Sequence, residues 1–164
     1  MKLHLGCGKH ILDGWVNVDL VRHPKASRSP DLISDVSKIA LEDGCADELL
    51  AVHILEHLGK YEGIAALKEW TRLLQSGGKL VIECPDIIKC AKNLLANTTD
   101  QLSMWGIYGN HEEKSVYMQH RYGWTYMTLK PVLESVGYAQ IVEHKPQWHG
   151  KRKNRDFRIE AIKV

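Results

Sequence analysis

The sequence predicts an α/β fold with a mostly parallel sheet that finishes in an antiparallel hairpin. Three observations predict it. Short apolar strands alternate with amphipathic helices, the pattern of βαβ units joined by right-handed crossovers. The early strands each run into a glycine or an acid, and ligands bind at the carboxyl ends of strands in open parallel sheets. The last two strand segments have no helix between them, so a hairpin joins them and one of the two must be antiparallel. At 164 residues the chain is one domain, 1–164. Its composition, 44% apolar and 26% charged, is that of a globular protein and excludes disorder, a coiled coil or a disulfide miniprotein.

The elements follow in order. Leu3-His4-Leu5 is a very short apolar strand leading into Gly6-Cys7-Gly8. Trp15-Val16-Asn17-Val18-Asp19-Leu20 alternates apolar and polar residues and reaches an acid. Asp31-Leu32-Ile33-Ser34-Asp35-Val36 reads as a third strand, again closing on Asp, and residues 46–54 contain a fourth. Ile64, Leu67, Trp70 and Leu74 recur at helical spacing over 60–75, and Gly77-Gly78 ends that helix. Lys79–Pro85 is a strand, and Pro85-Asp86 opens a helix over about 86–96. Residues 97–123 show no clean period. Residues 125–136 read as a helix closed by Gly137, with Pro131 blurring where it starts. Segments 138–145 and 156–164 alternate as strands around a basic linker containing Lys151-Arg152-Lys153-Asn154-Arg155.

Charge and cysteine usage narrow the setting. A net charge of +2 gives no case for nucleic-acid or membrane partners. The residues after Met1 do not have the charged and apolar regions of a signal peptide, and no stretch is long and apolar enough to span a bilayer. The expected location is therefore cytoplasmic. Cys7, Cys45, Cys84 and Cys90 form no CxxC pair and read as reduced thiols, with no metal centre expected from them.

The strand ends carry the candidate ligand contacts. Glycines at Gly6 and Gly8 permit a tight turn and close approach of backbone to ligand. A dinucleotide fingerprint requires G-x-G-x-x-G, and Ile11 stands at the third glycine's place, which counts against NAD or FAD. Asp19 is placed to accept from ribose hydroxyls. Asp35 can accept from an adenine amino group, and Val36 can offer its backbone N–H.

With these features the sequence resembles the class I S-adenosylmethionine-dependent methyltransferases, and more narrowly the small bacterial type-11-like methyltransferases. Leu3–Gly8, Gly14-Trp15-Val16-Asn17-Val18-Asp19, Ala51–Leu58 and Glu69–Asp86 resemble successive family motifs. His120–Thr125 with Leu133–Tyr138 resembles the late segment. Gln75-Ser76 departs from the Lys-Pro usual before Gly-Gly. The resemblance implies a three-layer, Rossmann-like methyltransferase fold with seven strands, the last antiparallel. It implies S-adenosyl-L-methionine as cofactor across the first four strand ends. Carried over by position, Gly6, Cys7 and Gly8 approach the methionine end, Asp19 with Leu20 holds the ribose, and Asp35 with Val36 holds the adenine. His53 backs the amino-acid moiety or lines the transfer point.

Methyl transfer to a hydroxyl or amine requires loss of a proton, for which a histidine is suited. The candidates are His53, His57, His111 and His120, with His120 and His53 the expected catalytic pair. Glu56 is placed to orient a neighbour. A pocket for the acceptor is expected from Trp105, Tyr108, Tyr117, Tyr122 and Trp124 in and beside the irregular segment. The acceptor implied is a small molecule, such as a sugar-linked or biosynthetic intermediate. The basic linker suits an anionic one. The competing reading is a non-catalytic module that binds the cofactor.

Overall fold

The computed structural model describes residues 1–110, 112, 115–148 and 154–164. Seven strands form one sheet in the order β3-β2-β1-β4-β5-β7-β6. They are β1 (Lys2–Leu5), β2 (Val16–Asp19), β3 (Leu32–Ile33), β4 (Ala46–Val52), β5 (Leu74–Pro85), β6 (Tyr138–His144) and β7 (Asp156–Lys163). β1 pairs in parallel with β2 and β4, β2 with β3, and β4 with β5. β7 is antiparallel to both β5 and β6. The fold class and the terminal hairpin are as the sequence predicts.

The helices are α1 (Lys60–Leu73), α2 (Ile87–Ala96), α3 (Gln101–Tyr108) and α4 (Tyr126–Ser135). The Asp86 carboxylate caps α2 by accepting from the backbone N–H groups of Ile88 and Lys89. Pro131 sits inside α4. α3 falls in the stretch that reads as irregular. It lacks an apolar stripe, and its signal is its cap: Asp100 accepts from Leu102 N–H and, at 2.6 Å, from the Ser103 hydroxyl. Gly106 lets α3 lie against α2, since a Cβ there would stand 2.5 Å from Cys90 Sγ.

The two sheet faces are covered differently. Alternation puts Leu3, Leu5, Val18, Leu49, Ala51, Leu80, Ile82, Cys84, Phe157, Ile159 and Ala161 on one face. There they pack with Ala66, Leu67, Trp70 and Leu73 of α1 and Leu129 and Leu133 of α4 as one core. On the other face Leu50, Val52 and Val81 form a small cluster with Leu12, Trp15 and Trp148, with no helix residue among them. The rest of that face is ionic: Glu48 pairs with Lys2 and Lys79, each at 2.9 Å, and Arg158 with Glu160 at 2.9 Å. A cavity of about 450 Å³ opens there between Trp15, Trp148, Glu48 and Arg158. Where the resemblance implies a third, helical layer, this face carries the 6–15 loop and residues up to Trp148. Asn17 ties that loop down. Its amide donates to the carbonyls of Leu12 and Trp15 and to Asp31, and its oxygen accepts from Leu12 N–H.

Candidate active site

The glycine turn follows β1 directly. Gly6 and Gly8 have φ of 62° and 52°, the left-handed region that glycine enters without penalty. A Cβ on Gly6 would stand 2.7 Å from Ile54, so the turn lies against the end of β4, whereas Gly8 faces open space. The Gly8 N–H donates to Asp19 Oδ2 at 2.7 Å, which places the acid beside the turn. Asp19 is half-buried and Leu20 is exposed. Cys7 contributes less than its position suggests. Its N–H donates to Val18 and its carbonyl accepts from His10, so the turn itself uses both backbone groups. Burial, with the nearby Asp19 charge, pushes its thiol up to about 12. Asp35 is exposed and holds a local turn, its Oδ1 accepting from the Ser37 N–H and hydroxyl. Val36 is buried, and its carbonyl accepts from the Trp70 indole.

These residues fit S-adenosylmethionine. The bare backbone at Gly8 leaves room for the cofactor, and Asp19, already fixed by one backbone donor, keeps acceptor capacity for hydroxyls.

Beyond Ile54 lies a cluster of partly buried histidines and buried carboxylates. His53, just past β4, has φ of 51°, a strained value for a residue with a side chain. Its Nδ1 lies 2.8 Å from Glu56 Oε1, and its Nε2 lies 3.0 Å from Asp156 Oδ2. Glu56 belongs to the 3₁₀ turn Leu55–His57, and Asp156 opens β7. Arg155 closes the chain of charges, its Nε 2.5 Å from Asp156 Oδ1. Burial alone would lower the His53 imidazole, but the carboxylates of Asp156 and Glu56 raise it to about 9. Burial would likewise raise Glu56, but His53, with the fields of His57 and His120, brings it down to about 2. His53 is therefore an imidazolium at neutral pH, held between two carboxylates.

His120 is different. Its Nδ1 lies 2.9 Å from the Gly106 carbonyl, so Nδ1 carries the proton and Nε2 the lone pair. Nε2 faces Glu56 at 3.9 Å. Burial lowers its pKa despite Glu56, so it is neutral at pH 7. His57 stacks edge-on against His120, ring centroids 4.8 Å apart, with its Nδ1 3.1 Å from the Gln119 carbonyl.

The structure thus brings His53, Glu56, His57 and His120 together. It does not gather the expected aromatic pocket: Trp124 is buried against Tyr122 in the main core, and Tyr108 and Tyr117 are exposed. Of the basic linker, only Arg155 among its basic residues is described. Arg155 is buried on Asp156 and on the Leu102 carbonyl. His111 and Lys151–Lys153 lie outside the described residues. Asp156 was hidden from sequence reasoning, because its neighbour Arg155 reads as part of the basic run. Its one signal is its place at the start of a strand facing a ligand edge.

The Methyltransferase domain family matches residues 3–82. No curated protein sequence matches the chain. Among solved structures, the chain resembles a SAM-dependent methyltransferase from Archaeoglobus fulgidus, with 17% identity, coverage of 99% of this chain and 85% of that one, and a TM-score of 0.66. It resembles a SAM-dependent methyltransferase from Methanosarcina mazei at 14% identity, over 99% and 92% of the two chains, TM-score 0.67. It also resembles the 1,6-didemethyltoxoflavin-N1-methyltransferase of Burkholderia thailandensis, bound to 1,6-didemethyltoxoflavin and S-adenosylhomocysteine. Identity there is 17%, over 99% of this chain and 70% of that one, TM-score 0.67. Sheet order and glycine turn agree with these likenesses: the Methyltransferase domain model matches residues 3–82, just under half of the chain, and the whole chain has the Rossmann-like fold of the S-adenosylmethionine-dependent methyltransferases it resembles.

Proposed function

We propose that the protein methylates a small-molecule acceptor held at the carboxyl edge of β4 and β5. The observation that carries this reading is the contact between Gly6 and Ile54, which sets the glycine turn against the histidine–carboxylate cluster. Gly6, Gly8, Asp19, Leu20, Asp35 and Val36 hold the cofactor, and Cys7 shapes the turn. When bound, S-adenosylmethionine supplies an electrophilic methyl group for an in-line displacement. The chain's own task is to position the acceptor and take up its proton. His120 has the available lone pair, is neutral, and is kept in one tautomer by Gly106. His53 has both nitrogens engaged and a positive charge, so it acts as a fixed electrostatic post at the cofactor's end of the cluster. A small acceptor is supported by the 1,6-didemethyltoxoflavin-N1-methyltransferase of the same fold.

The test is release of S-adenosylhomocysteine during incubation with a panel of hydroxylated and amino small molecules. Turnover that falls roughly a hundredfold or more in His120→Ala, within the range for loss of a general base, supports the reading. Cofactor binding without transfer to any acceptor would favour a non-catalytic module.

A further inference from the structure

We propose that Glu56, His57 and His120 form a binding site for a divalent cation of the zinc class, which takes a hydroxyl of the acceptor as a further ligand. One donor atom from each of the three residues lies within 4.8 Å of the others. Bonds of about 2.0–2.1 Å to a tetrahedral zinc place donors roughly 3.4 Å apart, so side-chain rotation of an ångström or so closes the set.

The second observation is the state of the donors. Glu56 is 2% exposed; its Oε1, which serves His53, also faces His120 Nε2 at 3.9 Å, and its Oε2 has no hydrogen-bond partner among the described residues. An uncommitted carboxylate oxygen in such a place is costly, and a cation satisfies it. The Nδ1 atoms of His57 and His120 are both engaged by backbone carbonyls, those of Gln119 and Gly106. Ligand histidines are held in this way, with the second ring N–H given to a carbonyl so that Nε2 presents its lone pair. Two imidazoles and one carboxylate suit zinc-class ions. Calcium and magnesium prefer oxygen donors alone. Three protein ligands leave a position open, and both rings are only partly buried, so an exchangeable ligand can reach it.

This rests on the methyl-transfer reading for the cation's use, though not for the cation's binding, and it replaces His120's role as base with that of a ligand. With the cation in place, His120 is a ligand and no longer the group that takes the proton. The cation acidifies the acceptor hydroxyl, whose proton leaves to solvent. The oxygen lone pair then forms the bond to the methyl carbon, and the electrons of the broken carbon–sulfur bond stay on sulfur. The acceptor is accordingly a small molecule with a hydroxyl group.

The experiment is titration of the chelator-treated, full-length protein with Co²⁺ as a visible probe, followed by displacement with Zn²⁺. One equivalent should give d–d absorption that Zn²⁺ abolishes. His57→Ala and His120→Ala should each weaken Co²⁺ binding tenfold or more, while His23→Ala, far from the cluster in sequence, should leave it unchanged. Absence of d–d bands, or bands that persist in both variants, overturns the site. If the variants do not fold, paramagnetic broadening of the His57 and His120 ring signals in the unaltered protein decides, and unbroadened signals overturn it. S-adenosylmethionine binding, measured separately by calorimetry, distinguishes failure of the cation site from failure of the methyl-transfer reading.

Discussion

At the scale of single residues, the charge chain Arg155–Asp156–His53–Glu56 makes the clearest predictions. An imidazole raised above its ordinary value of 6.5 stabilises the fold fully below pH 6.5, and that contribution is lost as pH rises through about 9. The thermal midpoint should therefore fall between pH 6.5 and 9, and the fall should shrink in His53→Gln; an identical slope in the variant would remove His53 as its source. Glu56 acts in a separate window, its contribution present above its ordinary 4.5 and lost as pH falls towards about 2. Asp156→Asn leaves His53 one carboxylate and Arg155 none at 2.5 Å. Breaking a buried pair in this way should cost about 3–5 kcal/mol in chemical denaturation, against under about 1 kcal/mol for Glu48→Ala among the surface pairs of the open face.

At the scale of elements, the longer strands and the long helix were readable because each has one strong period, whereas β3 is only two residues and Leu74, read as helical, opens β5 instead. Leu80, Ile82 and Cys84 alternate with Val81 and Glu83, and α1 repeats its apolar residues every three or four positions. α3 was not readable. Its eight residues have no apolar stripe, and Gly106, a poor helix former, is there for close packing on Cys90. Gly106→Ala should consequently destabilise the protein by about 1–3 kcal/mol by overpacking, despite alanine's higher helix propensity. A gain in stability would show that α2 and α3 separate easily. The glycine turn and Asp19 stand side by side at the strand ends, where local signals put them. His53, Glu56, His57 and His120 were readable as candidates, but Asp156 was not. Asp156 and His53 are joined by the antiparallel return of β7, a pairing over about a hundred residues that no local spacing encodes. Asn17 is a further case: a lone polar residue between two valines, it proves to be the clamp of the 6–15 loop.

At the scale of the whole molecule, one sheet face carries α1, α4 and most of the core, and the other carries ions, two tryptophans and a loop. Leu49→Ala, on the helical face, should cost about 2–5 kcal/mol through the cavity it leaves. No helix among the described residues is long and apolar enough to cross a membrane. The polar face and the site are separable, since every residue proposed to act on cofactor or acceptor lies at or beyond the carboxyl ends of β1 to β5. The central claim is that this edge binds S-adenosylmethionine through the glycine turn and Asp19. Calorimetric titration of the protein and of Asp19→Ala with S-adenosylmethionine tests it most directly. The account predicts one site per chain, weakened about ten- to a hundredfold in the variant through lost hydrogen bonds to a charged acceptor. No binding to the unaltered protein, or equal affinity in Asp19→Ala, would contradict it.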